Sequence, residues 1–354
     1  MTFHTSRKKP SSIFHNNKIM FGSIGQILYY YKKMATEMSY IKKISEALRA
    51  DKSIGVKVLD LFAGCGGLSL GFEAVGFDTI GFEVNKDACD SYNRNLRGEC
   101  YCTNLSLNSK YPEAEILIAG PPCQPYSVAG RQNGAKDKRN GFPVFIDAIE
   151  KVQPAVCIFE NVKGMVYKNK HYLERLIQDL NELGYNVKSK IINAKDYYVP
   201  QTRERLFVVG FKERKSYDFP TPIGSAINVR TAIGNIRTKV PKDTIVLNSR
   251  MDNYIRKYEI ASNCVNPRDI SFTKPSRTVT CRNLSGCTGD MMRVKLKDGT
   301  RRTLSVREAA TIQSFPSWFR LSGSVQSKLN QIGNAVPPMV SYHIALSIKQ
   351  QFCS

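Results

Sequence analysis

The feature that most constrains the fold is an alternation of short apolar segments with amphipathic ones, from about residue 55 to about residue 212. The segments that predict buried strands are "VKVLDLFAG", "DTIGFEVN", "EAEILIAG", "AVCIFENV", "NVKSKIINA" and "RLFVVGF", and "LSLGFEAVGF" and "HYLERLIQDLNELG" predict helices between them. Strands separated by helices are typical of sheets whose two faces are both covered. The alternation therefore predicts an α/β fold with a doubly wound sheet.

The positive net charge of the chain limits the kinds of partner that it is expected to bind. The chain of 354 residues holds 52 Lys and Arg against 30 Asp and Glu, a formal net charge of +22. Such an excess favours a polyanion, most often nucleic acid, although a general bias toward solubility gives the same composition. The sequence has no apolar run as long as the roughly 20 residues that a membrane span needs, so we expect no membrane partner.

The N-terminal segment is basic and free of acidic residues over about its first 36 positions. A targeting segment, a nucleic-acid arm and a solvated tail all fit this composition, and we favour the tail or the arm. The next stretch, "TEMSYIKKISEALRA", places Met38, Ile41, Ile44 and Leu48 at helical spacing. This spacing predicts an amphipathic helix that packs on the main domain.

The ten cysteines are irregularly spaced, and no segment has the pattern of a signal peptide. We therefore interpret them as reduced thiols of a cytoplasmic protein rather than as disulfides. A metal site is not expected, because only Cys100 and Cys102 are close and no second Cys or His pair accompanies them.

The turn in "DLFAGCGGLSLGF" places Gly64, Gly66 and Gly67 between a strand and a helix. Glycine lets the backbone approach a ligand, and the helix start supplies free N–H groups. Glu83 ends the next strand, where an acidic side chain can accept hydrogen bonds from ribose hydroxyls. The pattern predicts a nucleoside cofactor, with a purely structural turn as the alternative. Ser69 replaces the third glycine of the dinucleotide motif, and the absence of a Walker lysine argues against ATP.

Cys123, in "AGPPCQPYS", follows a predicted strand and two prolines. It therefore lies at the sheet edge where open α/β sheets bind ligands, on a backbone that the prolines hold rigid. A buried structural cysteine is the alternative, but the polar segment that follows, "SVAGRQNGAKDKRN", argues against burial. That segment predicts a mobile lid with Gly130 and Gly134 as pivots.

Further polar groups stand at the ends of other predicted strands. "FENV" supplies Glu160 and Asn161, and partial burial can raise the pKa of a carboxyl there and make it a proton donor. "QTRERLFVVG" offers Arg203 and Arg205, which alternate along a predicted strand and so face one side. Paired guanidiniums can hold the carboxylate, a base edge or a phosphate. Ordinary salt bridges are the alternative for the glutamate and for the arginine pair.

The segments "DLFAGCGGLSLGF", "GPPCQPYS", "ENVKGM", "QTRERLFVVGF", "LSVREAATIQSFP" and "QIGNAVPP" resemble, in order and rough spacing, the motifs of the cytosine-C5 DNA methyltransferases. The resemblance covers about residues 55–348. It implies a Rossmann-like methyltransferase domain with a smaller target-recognition domain, S-adenosyl-L-methionine as cofactor and double-stranded DNA as partner.

Roles for individual residues follow from their positions in these motifs. The resemblance implies Cys123 as the nucleophile, Glu160 as the group that acts at cytosine N3, Arg205 as the base contact and Arg203 as a further catalytic residue. The implied cofactor-binding residues are Phe62, Ala63, Gly64, Gly66, Gly67, Leu68, Glu83, Val84, Asn104, Leu105, Gly120, Pro122, Asn334, Ala335 and Val336. The implied substrate-binding residues are Gln124, Ser127, Asn161, Gln201 and Thr278.

Two positions depart from the common pattern of the family. Asn104 stands where an acidic residue often meets the adenine amino group, and Val84 stands where some members carry a stacking aromatic. The amide oxygen of Asn104 can still accept the adenine hydrogen bond, so this difference bears on cofactor affinity rather than on activity.

The chemistry of the reaction agrees with these residue types. Cytosine C5 is a poor nucleophile, but addition of a thiolate at C6, with a proton or hydrogen bond at N3, makes C5 enamine-like. A base stacked in a duplex cannot reach such a thiol, so the resemblance and the mechanics both require base flipping. No residue is identified as the base that removes the C5 proton.

The resemblance also divides the chain. We expect a basic extension and helix at residues 1–53, a catalytic and cofactor domain at 54–221, a small target-recognition domain at 222–304, and a hinge with a C-terminal return to the catalytic domain at 305–354. Side chains of the recognition segment that can read guanine or contact phosphates are Arg230, Arg237, Lys239, Lys242, Arg250, Arg256, Lys257 and Arg268. No target sequence follows from them.

The resulting prediction is a monomeric bacterial restriction–modification methyltransferase in the cytoplasm, associated with the nucleoid through DNA. It protects host DNA from a cognate restriction endonuclease, which is only a genetic partner. A transfer-RNA cytosine-C5 methyltransferase is the alternative, because the recognition segment is short for the family. A non-catalytic DNA-binding regulator is a third possibility, against which the presence of Cys123, Glu160 and Arg205 argues.

Overall fold

The structure, a computed structural model, describes residues 39–122, 141–167, 169–212, 217–224, 226–263, 267–284 and 288–352. The strands in these ranges are β1 (Lys57–Leu61), β2 (Asp78–Glu83), β3 (Glu99–Cys102), β4 (Ile116–Ala119), β5 (Val156–Val162), β6 (Tyr185–Asn193), β7 (Gln201–Thr202), β8 (Glu204–Lys212), β9 (Ser276–Arg277), β10 (Arg293–Lys295) and β11 (Arg301–Thr303). Seven of these strands form one sheet in the order β3-β2-β1-β4-β5-β8-β6.

The direction of the strands confirms the predicted α/β fold. Neighbouring strands from β3 to β5 run parallel, whereas β8 runs antiparallel to both β5 and β6. Two details were not predicted. β3 buries only one of its four residues, so no apolar run marks it. The reversal of β8 leaves no trace in its sequence, because a central strand is apolar in either direction.

The strand order reverses between β1 and β4, since the chain moves outward from β1 to β3 and then returns to the other side of β1. Open α/β sheets bind ligands at the carboxyl edge of such a switch point. The segments that follow β1 and β4 meet here, because a Cβ built on Gly141 would lie 2.7 Å from both the Phe62 ring and Pro121. The topology thus brings the glycine turn and the Pro-Pro corner together.

Helices cover both faces of the sheet and build the rest of the molecule. In chain order they are α1 (Tyr40–Ala47), α2 (Gly67–Glu73), α3 (Lys86–Asn95), α4 (Phe142–Val152), α5 (Lys170–Glu182), α6 (Val229–Ile233), α7 (Ser249–Ala261), α8 (Cys281–Leu284), α9 (Val306–Ile312), α10 (Val325–Asn334) and α11 (Pro338–Phe352), with short 3-10 helices at Lys163–Val166 and Ala194–Tyr197. Helix α2 touches α11 closely, because a Cβ on Gly71 would lie 2.3 Å from Tyr342 N.

Helix α1 confirms the amphipathic helix expected before the sheet. Tyr40, Ile44 and Leu48 are buried in the main core. The indole of Trp318 donates a hydrogen bond to the Ser45 carbonyl at 2.9 Å, which ties this helix to the segment after α9. Helix α1 is therefore part of the main fold.

The segment that follows the sheet is built differently from it. Helix α7 packs beside the antiparallel hairpin of β10 and β11, and β9 pairs in parallel with β7 next to β8. The described residues from Ser39 onward group into one compact unit. The expected boundaries at residues 53, 221 and 304 remain predictions. Within the described ranges, no helix combines the length and apolar character that a membrane span requires.

Candidate active site

A carboxylate–guanidinium pair lies near the carboxyl end of β5. Glu160 pairs with Phe207 of β8, and Arg205 precedes Phe207 by two residues, so both side chains point to one face of the sheet. Arg205 Nε lies 3.3 Å from Glu160 Oε1, and the two side chains are only 16% and 10% exposed. The register of two antiparallel strands therefore creates this pair.

The buried position of Glu160 makes its carboxyl lose a proton less readily than an exposed carboxyl does. Burial raises the pKa of Glu160, although Arg205 and Arg203 oppose the shift. Glu160 Oε2 faces Gly120, where a Cβ would lie 3.4 Å away. Among the described residues, no group donates a hydrogen bond of good geometry to Oε1. A buried carboxyl with a raised pKa and an acceptor left open is suited to holding or passing a proton.

Arg203 lies between β7 and β8, so the predicted continuous strand through both arginines is wrong at this residue. Its side chain is 3% exposed and donates hydrogen bonds to the carbonyls of Val279, at 2.6 Å, and Ala335, at 3.1 Å. These contacts join the recognition segment and the late "GNAVPP" segment to the catalytic sheet. Arg203 therefore holds these segments together, and it is near enough to Glu160 for its charge to act on that carboxyl.

The corner that precedes Cys123 is fixed from the neighbouring strand. Pro121 is buried, and its carbonyl accepts a long hydrogen bond of 3.4 Å from Asn161 Nδ2. Asn161, predicted to bind substrate, is 1% exposed and makes its described contacts with the protein itself. The predicted residues that lie outside the described ranges, together with the lid loop, are Cys123, Gln124 and Ser127.

Two backbone N–H groups hold the carboxylate of Glu83 beside the glycine turn. Gly64 N donates to Oε2 at 2.9 Å, and Asn85 N donates to Oε1 at 2.7 Å. Both bonds fix the orientation of the carboxylate, and each oxygen keeps a lone pair for a further donor. Gly64 has a φ of +57°, in the left-handed region that favours glycine.

The remaining predicted residues of the turn surround this carboxylate. Phe62 follows β1 with a φ of +61°, an unusual conformation for a non-glycine residue. Ala63 N donates to Phe82 O at 3.0 Å. Gly66 precedes helix α2, and the Leu68 carbonyl accepts a hydrogen bond from the Ser341 hydroxyl.

Residues from three other segments reach the same edge. A Cβ on Gly67 would lie 2.5 Å from the Val336 carbonyl, so the late segment closes directly on the turn. Thr103 N donates to the Glu83 carbonyl at 2.9 Å, and this brings Asn104 and Leu105 next to the turn. The predicted residues Gly120 and Pro122 follow β4, while Asn334 Oδ1 accepts a hydrogen bond from the Cys281 thiol at 2.8 Å.

Comparison with known proteins identifies the family to which a site with this geometry belongs. The family model of the C-5 cytosine-specific DNA methylases matches residues 56–350. The chain belongs to this family. The match includes the turn, the Pro-Pro corner, the Glu160–Arg205 pair and the late segment, which the fold brings to one edge of the sheet.

Curated relatives place this methylase among the enzymes of type II restriction–modification systems. The Type II methyltransferase M.AplI of Arthrospira platensis is 49% identical over 319 residues, which cover 89% of this chain and 92% of the relative. The Type II methyltransferase M.FnuDI of Fusobacterium nucleatum is 31% identical over 326 residues, which cover 83% and 94%. The chain is thus a cytosine-C5 DNA methyltransferase of this kind, and duplex DNA is its substrate.

Solved structures agree at the level of the fold. DNMT2 of Spodoptera frugiperda superposes with a TM-score of 0.66 at 17% identity, over 83% of this chain and 99% of the other. The methyltransferase EhMeth of Entamoeba histolytica superposes with a TM-score of 0.65 at 17% identity, over 85% and 99%. The Rossmann-like methyltransferase fold is therefore common to all three chains.

C5 methylases of this fold use S-adenosylmethionine as methyl donor, and the residues of this methylase fit it. The two oxygens of Glu83 retain acceptor capacity for ribose hydroxyls. No atom lies within 4 Å of a Cβ built on Gly64, so the turn faces open space. Val84 is 65% exposed and offers an apolar surface beside this space.

A chain of buried hydrogen bonds between β1, β2, α2 and α3 supports the glycine turn. The Ser69 hydroxyl donates to Asp60 Oδ2 at 2.6 Å, and Tyr92 OH lies 3.1 Å from Ser69 Oγ and 2.7 Å from Thr79 Oγ1. Thr79 in turn donates to Glu73 at 2.7 Å. Burial raises the pKa of Asp60 to about 7. A charged residue inside the apolar strand "VKVLDLF" is the sequence signal that marks this support.

Gln313 is a residue of the site that the sequence reasoning missed. It is fully buried, accepts a hydrogen bond from Gln201 Nε2 at 2.5 Å and donates to the Ala335 carbonyl at 2.7 Å. Gln201, predicted to bind substrate, also accepts from Val279 N at 2.7 Å and is fully buried. The partly exposed Thr278 donates to the Thr202 carbonyl at 2.8 Å. An amide directly after the helix, at the end of the stretch "EAATIQ", is the available signal.

The recognition segment requires one correction to the predicted DNA contacts. Arg268 is 8% exposed, and its Nε donates to the Gly289 carbonyl at 2.9 Å. Glu259 accepts from its backbone N–H. Arg268 therefore faces the interior, where Asp290 Oδ1 lies 3.8 Å from its Nε. The exposed basic residues include Arg250, Arg256 and Lys257 on α7.

Proposed function

We propose that this methylase transfers a methyl group to C5 of a flipped-out cytosine in a specific duplex sequence, through a covalent adduct between Cys123 and C6. The observation that carries the proposal is the buried Glu160–Arg205 pair beside Gly120, three residues before Cys123 in the sequence. The strand order supports it, because the Pro-Pro corner and the cofactor turn follow the two strands of the switch point.

The first step is attack by the Cys123 thiolate. The Sγ–C6 bond forms as the C5–C6 π electrons move toward C5, and the negative charge delocalises toward N3. An ordinary thiol has a pKa of about 8.5, so the site must favour the thiolate or deprotonate the thiol during the attack. The rigid Pro-Pro corner supports this step, since it restricts the backbone that carries the nucleophile.

Glu160 then supplies the proton. Its raised pKa suits a carboxyl that holds a proton in the resting site and donates it to N3 as charge develops there. Arg205, 3.3 Å away, stabilises the carboxylate that remains and is close enough to contact the base. Once C5 carries the methyl group, water takes the C5 proton and the Cys123 thiolate leaves C6. The C5–C6 double bond is restored, and the N3 proton returns to Glu160.

When bound, S-adenosylmethionine supplies the electrophilic methyl group. We assign its ribose hydroxyls to Glu83 and its adenine to the surface of Val84 and Asn104. The turn from Phe62 to Leu68 and the late segment from Asn334 to Val336 enclose the rest. The fixed Glu83 carboxylate is the feature of this chain that supports the assignment.

In the cell, the methylase protects host DNA by modifying the sites of a cognate restriction endonuclease. The two enzymes share a recognition sequence and need no physical contact, so we assign a monomer that works in the cytoplasm on nucleoid DNA. The similarity to Type II methyltransferases supports this placement.

The decisive experiment measures methyl transfer from labelled S-adenosylmethionine to duplex DNA and to transfer RNA, with bisulfite mapping of the product. We expect label in DNA at one short sequence. Label confined to RNA would overturn the proposal in favour of a transfer-RNA methyltransferase. Cofactor binding without transfer to either would favour a non-catalytic regulator.

The nucleophile is tested with duplexes that carry 5-fluorocytosine at the mapped site. Fluorine cannot leave C5 as the proton does, so the Cys123 adduct should persist in denaturing gels. Cys123→Ser should abolish both turnover and adduct while S-adenosylmethionine still binds. Cys102→Ser changes an exposed cysteine near the cofactor edge and serves as the matched control, with unchanged adduct formation. Normal turnover of Cys123→Ser would disprove the assignment.

A further inference from the structure

Both acidic side chains of helix α7 lie on its inner face, where they form ion pairs. Its buried residue is Ile255, and its two acids are Asp252 and Glu259. Asp252 Oδ1 lies 2.9 Å from Arg293 Nη1, and Glu259 Oε1 lies 2.9 Å from Arg293 Nη2. Because both carboxylates pair with the buried Arg293, no negative charge of this helix remains for its outer face.

The outer face carries basic, amide and aromatic side chains. At 100° per residue, Arg250, Asn253, Tyr254 and Lys257 fall on one stripe opposite the inner face, with Tyr258 at its border, and all five are exposed. Tyr254 and Tyr258 are each 47% exposed, and their ring centroids lie 5.1 Å apart. Exposed aromatic residues grouped with positive charge are typical of an interaction surface rather than of a solvated helix.

The outer face of α7 borders the described residues around 281–290, of which Cys281 contacts the late segment beside the cofactor turn. The Tyr258 ring lies over Gly289, where a Cβ would approach it to 2.6 Å. The contact with Tyr258 raises the pKa of Tyr254, and the positive charge of nearby Arg282 opposes that shift. Arg282 is exposed and follows Cys281, whose thiol donates a hydrogen bond to Asn334 of the late segment.

We propose that the outer face of α7, defined by Arg250, Asn253, Tyr254, Lys257 and Tyr258, reads the substrate duplex from its major groove. The inference rests on the proposed sequence-specific methylation of DNA and names the surface that determines the sequence. The occupant is duplex DNA, because the face combines positive charge without acid, to match phosphates, with side chains that can address base edges.

The dimensions and chemistry of the helix suit this occupant. Thirteen residues span about 20 Å, and the major groove is the groove that admits an α-helix. In that groove asparagine pairs with the N7 acceptor and the N6 donor of adenine, and arginine donates to the N7 and O6 acceptors of guanine. The tyrosine hydroxyls and Lys257 suit phosphate contacts, which hold the helix in register without reading sequence.

The experiment compares Asn253→Ala, Tyr254→Phe and Lys257→Ala with the intact enzyme on a pool of duplexes randomised around the mapped target. Bisulfite sequencing gives base preferences, kcat/KM gives the rate on each sequence, and the affinity for the duplex measured over a range of salt gives the phosphate contribution. Asn253→Ala should lose roughly 5- to 150-fold of discrimination at one base pair. Lys257→Ala should slow all sequences alike and reduce the slope of log affinity against log salt by about 0.9.

Lys52→Ala is the matched control, since Lys52 is exposed and precedes β1 at the opposite edge of the sheet. Cofactor binding and Tm establish that each variant is folded, and Lys257→Gln replaces the alanine variant if that one is not. If the intact enzyme methylates its target and the α7 variants match Lys52→Ala in preference and salt slope, the proposal for α7 fails alone. If the intact enzyme methylates no duplex sequence, the proposed function fails as well.

Discussion

The central sheet and the outer part of the recognition segment are stabilised by different forces. Strands β1, β4 and β5 are almost continuously buried and mostly apolar, so the hydrophobic effect and close packing hold the sheet. Helix α7 has one fully buried apolar residue, Ile255, and is held chiefly by Arg293, whose guanidinium lies within 3.0 Å of three carboxylates.

This difference separates the sheet that carries the catalytic residues from the helix that we propose reads DNA. The sheet fixes the positions of reacting groups, which tolerate little displacement, whereas a layer of ion pairs gives α7 a defined orientation with a small apolar core. A charged anchor also leaves the outer face of the helix free to vary in sequence. The two regions should therefore respond differently to substitution and to pH.

The largest effect is expected at the catalytic edge of the sheet. Glu160→Gln keeps the size of the side chain but removes its transferable proton, so kcat should fall by about 10²- to 10⁴-fold. Tm should change little, since the amide has the size of the protonated carboxyl and is likewise uncharged. Single-turnover kinetics on the mapped duplex and a thermal melt measure both. Glu204→Gln, at a partly exposed position that pairs with Lys163, is the control and should retain most of its activity.

Arg293→Ala should destabilise the recognition segment by about 3–5 kcal/mol, because it removes the buried guanidinium that three carboxylates share. Glu259 loses its ion pair, while Asp252 and Asp269 keep their pairs with Arg301. Hydrogen exchange should accelerate across α7 and the β10–β11 hairpin, while β1 and β4 remain protected. Lys297→Ala, an exposed position at the turn of the same hairpin, should change exchange little. Equal acceleration in the sheet would show that the two regions do not differ in the proposed way.

A smaller and global effect is expected in the sheet core. Ile118→Val removes one methylene from the fully buried strand β4 and should cost about 0.5–1.5 kcal/mol of unfolding free energy. The loss should appear in the global denaturant midpoint rather than as local exchange. A loss confined to the recognition segment would contradict the assignment of the sheet as the shared core.

The regions should also respond to pH with opposite sign. Burial raises the pKa of Asp60 to about 7, above about 3.9 in the unfolded chain, so its contribution to stability is lost as pH rises through 7. Burial acts to raise the pKa of Glu259 too, but the Arg268 N–H and the charge of Arg293 outweigh it and lower the pKa. Its contribution is therefore lost as pH falls below about 4.3 and through the folded pKa.

Two variants isolate these contributions. Asp60→Asn keeps an acceptor for the Ser69 hydroxyl and should flatten the decline of Tm between about pH 4 and pH 7, the range between the unfolded and folded pKa values of Asp60. Glu259→Gln should weaken protection of α7 at neutral pH and flatten its loss in acid. Thermal melts and hydrogen exchange over a pH series measure the two responses. A decline of the same sign in both regions would contradict the comparison.

Much of the fold was predictable because its signals are local. The apolar strands and the glycine turn before α2 each lie in one stretch of sequence, and so does the Pro-Pro corner. Helix α7 was missed although Asn248 caps it and Met251 and Ile255 follow at helical spacing, because its charged composition hides the pattern. Arg268 was misassigned because exposed and buried arginines look alike in a sequence.

By itself, the sequence determined the chemistry that this protein carries: a cysteine after two prolines, a glutamate and an arginine on core strands, and a glycine turn with an acidic residue after it. Residue identity and local spacing decide these features, so they are legible without the fold. Only the tertiary structure decided that Glu160 and Arg205 share a face, that Arg203 and Gln313 join three segments, and that α7 turns its acids inward. These depend on strand register and on contacts between residues far apart in the chain, which no local pattern encodes.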